Sequence, residues 1–218
     1  MTAHFVDLLD GLKRRSLRMA SLVEDILEEA GEAVSRADHA LATRVTGRDE
    51  DVDAEEVQVE KEVIRLLALY QPVGSDLRLL CTILKVNNDL ERIADCAVNV
   101  AERARHVDPA MAADGIGELD RMIPIVRQML RHAVQAYSTQ SSADAQRVFQ
   151  DEEAVDALYG QVIRRVVVDA ARSPEYMASY LDLLSVAKNL ERIADHTTNI
   201  AEDVVYLTTG EIVRHRSA

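Results

Sequence analysis

The phrase DLERIADCAVNVAE, beginning at Asp89, returns as NLERIADHTTNIAE, beginning at Asn189, one hundred residues later. Glu, Asp, Asn and Glu keep their register while the residues between them change, so both halves of the chain must give this phrase the same kind of setting. A duplicated segment of this length points to two copies of one supersecondary unit.

Apolar spacing supplies the unit. Residues recur at helical intervals from Phe5 to about Val45, then from the Asp49 region to Tyr70, then from Leu77 to about Arg105. Gly47 reads as an end signal, Asp49 as a candidate N-cap, and QPVGSD at Gln71 to Asp76 as a turn with Ser75 or Asp76 capping the next helix. The second half repeats the scheme, with helices expected over Glu118 to Ser138, roughly Glu152 to Ala171, and Tyr176 to Thr209. Pro124 belongs in a first turn or at a kink. The expectation is an all-α chain of two similar antiparallel three-helix bundles, 1–107 and 118–218, joined by a linker over 108–117.

Composition agrees with helices: Pro numbers 4, Gly 8 and Trp none, with aromatic residues at 4%. A net charge of −13 argues against nucleic acid as a partner and favours cations or basic protein surfaces. The first residues lack the pattern of a signal peptide, and no apolar run approaches the roughly 20 residues of a membrane span. Cys81 and Cys96 read as reduced core thiols. Together these lead us to expect a cytoplasmic protein.

Each half carries two acidic pairs four residues apart. They are Asp49/Asp53 and Glu91/Asp95 in the first half, Glu152/Asp156 and Glu191/Asp195 in the second. Residues i and i+4 share a helix face, so carboxylates there repel, and more strongly as they lose water. Counting outward from the first turn sets Asp53 level with Asp95 and Asp49 level with Asn99. In the second hairpin Asp156 falls level with Glu191 and Glu152 with Asp195. Four converging carboxylates call for a cation, and an all-oxygen set suits Mg²⁺, Mn²⁺, Ca²⁺ or iron better than structural zinc. Asn99, Glu102, Asn199 and Glu202 extend the two stripes, Arg92 and Arg192 read as braces or solvent-facing groups, and His196 is rotated off its stripe toward a surface or supporting role.

With LERIAD…N.AE twice, DEDVD at Asp49 matched by EEAVD at Glu152, LLALYQPVGSDLRLL at Leu66 and AEDVVYLTTGE at Ala201, the sequence resembles the PhoU family over nearly its whole length. The resemblance implies multinuclear metal clusters, often iron, held by Asp49, Asp53, Glu91 and Asp95 and by Glu152, Asp156, Glu191 and Asp195. Cys96 stands where the family commonly has His. It also implies a homodimer and a non-enzymatic negative regulator of the phosphate-starvation response. Such a protein would link a phosphate transporter's ATPase subunit to a membrane sensor histidine kinase, touching the membrane only through those complexes. Two other readings remain. One is a di-iron carboxylate oxidase or ferroxidase, against which stands the lack of any Glu-x-x-His. The other is a metal-free bundle whose acids are merely solvated.

Overall fold

The computed structural model describes residues 3–108 and 117–213. The first half holds α1 (Ala3–Arg36), a short α2 (His39–Val45), α3 (Asp49–Tyr70) and α4 (Gly74–Ala104). The second holds α5 (Gly117–Thr139), α6 (Ser142–Arg172) and α7 (Met177–Thr209), with a 3₁₀ turn at Pro174–Tyr176. Two three-helix bundles result, and most of the expected linker lies outside the described residues.

Several boundaries differ from those read in the sequence. The stretch ending at Val45 is two helices, because Ala37 takes φ 48° and the Asp38 side chain then caps α2, accepting from the N–H groups of Ala40 and Leu41. The second-half counterpart of α2 and α3 is one unbroken helix. α6 begins ten residues earlier than expected, started by Ser141, whose side chain accepts from the Asp144 N–H. At the other caps, Arg48 rather than Asp49 precedes α3, and Val73 precedes α4 without a side-chain cap. Pro124 sits inside α5, past its first turn. α7 ends where Gly210 takes φ 77°, a left-handed conformation that costs glycine little.

The halves meet along two antiparallel seams. On one, α4 runs against α7: Lys85 pairs with Asp203, Arg103 with Asp182, and the Asp108 N–H donates to the Ser179 hydroxyl. On the other, α1 runs against α5, where the buried Tyr137 hydroxyl donates to that of Ser16. Buried residues surround α4 almost completely from Ile93 to Ala101, as they must on a central rod. One hydrophobic cluster spans both halves. Among the described residues no helix is long and apolar enough to cross a membrane.

Candidate metal centre

The turn between α3 and α4 folds the two helices back on each other so that their acidic faces meet. Asp53 of α3 and Glu91 and Asp95 of α4 each bring an oxygen to within 4.8 Å of the others. Asp49, one turn before Asp53, lies outside this trio. Partial desolvation, then the charges of Asp95, Asp49 and Glu50, push the Asp53 carboxyl above its ordinary range, although its side chain still reaches solvent. Burial and Asp95 do the same to Glu91, while Arg92 opposes them. That arginine spans the pair, its Nε 3.1 Å from Glu91 and a terminal nitrogen 3.4 Å from Asp95. One guanidinium against three carboxylates leaves the group short of positive charge, and the all-oxygen donor set fits a hard cation.

The second half repeats the residues with a different result. Burial pushes Glu152 upward, with Asp156, Asp195 and Glu202 adding to it and the nearby Thr198 hydroxyl opposing. Asp195 is raised by burial, then by Glu191 and Asp156, with Lys188 and His196 opposing. The four acids thus share one field. Among the described residues, however, no three of them approach as closely as the first trio. Glu191 is held by Lys188, whose Nζ lies 2.5 Å from the carboxylate and 5.4 Å from the centre of the Tyr159 ring. Asn88 occupies the position matching Lys188 in the first half, so only this set carries its own ammonium.

The α4–α7 seam adds residues that the sequence reading did not single out. A cavity of about 670 Å³ opens between α4, α6 and α7, with Lys85, Asp89, Glu152, Asp195, Asn199 and Glu202 in its walls. Asp89, only 6% exposed, lies 2.9 Å from His196 Nδ1 and accepts from the Asn199 side chain at 3.3 Å. His196 therefore turns from the acidic stripe toward the other half. The duplicated phrase held a signal for this. It differs between copies at both members of the contact, Asp89 against Asn189 and Cys96 against His196, as expected where one crossing pair became polar.

The PhoU domain matches this chain twice, over residues 16–104 and 119–204. The chain is 36% identical over 208 residues to the phosphate-specific transport system accessory protein PhoU homolog of Aquifex aeolicus, covering 95% of this chain and 94% of the relative. The homolog from Deinococcus radiodurans is 35% identical, over 89% of this chain and 92% of its own. The fold is similar to the crystal structure of PhoU from Pseudomonas aeruginosa, with a TM-score of 0.89 and 33% identity over 95% of this chain and all 100% of that one. It is similar also to the phosphate transport system regulatory protein PhoU of Streptococcus pneumoniae, with a TM-score of 0.88 and 27% identity over 96% and 99% of the two chains.

Proposed function

The chain belongs to the PhoU family, and on that premise we propose that it is an accessory regulator of phosphate uptake that restrains the phosphate-starvation response. In this reading it is an adaptor rather than an enzyme. It works in the cytoplasm between the ATPase subunit of a phosphate transporter and a membrane sensor histidine kinase. A hard cation, iron or a divalent ion such as Mg²⁺ or Mn²⁺, binds Asp53, Glu91 and Asp95 with Asp49 alongside. A second site of looser build draws on Glu152, Asp156, Glu191 and Asp195.

The observation that carries the metal part is the trio of oxygens within 4.8 Å. Three carboxylates held that close by two packed helices lose their mutual repulsion only to protons or a cation. When bound, the ion would lock α3 to α4 and turn an acidic patch into a rigid surface of altered charge.

Three experiments test the reading. Deleting the gene should raise starvation-gene expression and phosphate uptake at high phosphate, and unchanged levels would overturn the regulatory role. Metal analysis of protein purified without chelator should find ions that an Asp53→Ala/Asp95→Ala variant loses. Retention of the transporter ATPase and of the sensor kinase on immobilised protein should fall when chelator is added.

A further inference from the structure

The first hairpin holds a fourth acid that the trio does not include. Glu56 follows Asp53 by three residues, on the same face of α3, and counting outward from the turn sets it level with Glu91 of α4. It stands outside the group of oxygens within 4.8 Å, and α4 holds it there. The Asn87 side chain donates to the Glu56 carboxylate at 3.3 Å and to the Glu56 backbone carbonyl at 3.1 Å. Asn87 is fully buried, and its Oδ1 finds no hydrogen-bond donor among the described residues. A buried amide left half satisfied is costly, so an apolar residue would serve the core better at this place. Both contacts of the amide instead go to one residue, and they fix where its carboxylate stands.

The second half lacks this arrangement. The core residues Val52, Val59 and Val63 of α3 match Val155, Val162 and Val166 of α6, which puts Tyr159 at the position of Glu56, and Ala187 stands at that of Asn87. Acid and tether are therefore replaced together. Where the first half sets a carboxylate, the second sets a phenol ring beneath the Lys188 ammonium. The charges of the first half respond to one another accordingly. Burial, then Glu60 and Asp53, push the Glu56 carboxyl above its ordinary range while Arg92 opposes, and Glu56 in turn adds to the rise at Glu91.

We propose that Glu56 is an outer acid of the first centre, held by Asn87 beside Asp53, Glu91 and Asp95, and that it sets this centre's affinity for a hydrated divalent cation. Hard ions such as Mg²⁺ keep several waters when one or two carboxylates bind them. A fixed carboxylate next to the ligands accepts hydrogen bonds from that water, and partners of this kind are worth about 10–100-fold in metal affinity. Tyr159 and Ala187 give the second set no such acid. The inference rests on the metal reading above and adds a cause, besides Lys188, for the two centres to differ.

The test is isothermal titration of the full-length, chelator-stripped chain with Mn²⁺, with circular dichroism on each variant to confirm retained helix. Glu56→Gln should weaken the tighter wave of binding about tenfold and leave the other wave unchanged. Glu60→Gln removes an equal charge one turn further along α3 and should change neither. Asn87→Ala should weaken the tighter wave too, but add nothing once Glu56→Gln is present, since it acts only through that carboxylate. If the wild type binds no Mn²⁺ that Asp53→Ala/Asp95→Ala abolishes, the metal reading falls and this inference with it. Suppose instead that such binding exists, but Glu56→Gln leaves it intact or weakens both waves alike, Glu60→Gln costs as much, or Asn87→Ala keeps its full cost beside Glu56→Gln. Any of these overturns the role given to Glu56 and its tether while the metal site stands.

Discussion

At the scale of single residues, the acidic trio makes a prediction whose sign depends on the ligand. A carboxyl held above its ordinary range keeps its proton in the folded state at pH values where the unfolded chain has lost it. Its contribution therefore favours folding on the acid side and is lost as pH rises through the folded value. Asp53 is such a group, raised by desolvation and by Asp95, Asp49 and Glu50. In metal-free protein at neutral pH, Asp53→Asn should stabilise by a few tenths of a kcal/mol, as relief of like-charge neighbours on helices does. The gain should vanish as pH falls into the ordinary carboxylate range. With Mn²⁺ in excess the order should invert, the wild type melting higher through ligand linkage. Thermal melts in both conditions read it. The Asp89 contact makes a simpler demand. Asp89→Ala removes a buried carboxylate from His196 and Asn199 and should cost about 1.5–3 kcal/mol in urea unfolding. In a double-mutant cycle, much of that loss should disappear when His196→Ala is already present.

Helices in this chain depend on close fits that substitutions can probe. A Cβ added at Gly31 of α1 would lie 2.7 Å from Ile123 Cγ2 of α5. Gly31→Ala should therefore cost about 1–3 kcal/mol by overpacking, and in an Ile123→Ala background that penalty should disappear. Denaturant midpoints of the four proteins check it. The same scale shows what could be read in advance. The ends of α3 and α4 and the C-terminus of α7 fell within a few residues of expectation because Gly47, Pro72, Gly74 and Gly210 punctuate clear apolar periodicity. The break after α1 escaped because Ala37 carries no turn signature, and the capping role of Asp38 shows only once the helix is known to stop. The early start of α6 escaped because its buried residues thin out between Val148 and Val155, interrupting the apolar row that leads back to Ser142. Register across the α3–α4 turn needed only counting, so the nearness of Asp53, Glu91 and Asp95 was legible. The Lys188 contact and the Asp89–His196 bridge were not, since they depend on where a flexible side chain settles and on which faces of α4 and α7 meet.

For the whole molecule, the two seams matter more than the boundary between repeats. α4 against α7 and α1 against α5 merge both halves into one hydrophobic cluster. Calorimetry of metal-free protein should accordingly give a single peak with a calorimetric to van't Hoff ratio near one, and two resolved peaks would mean that the halves melt independently. Duplication has nonetheless left the halves unequal, and Lys188 is where the difference tells. A positive group that is part of the polypeptide is always present, whatever the cell's supply of ions, and an incoming ion must displace it before reaching Glu191. Isothermal titration should therefore show two waves of binding, the trio filling first, and Lys188→Ala should draw the waves together. A pair of identical pockets would answer over one narrow span of supply. Unequal ones stretch the reply, so that the protein could register scarcity, sufficiency and surplus as three conditions.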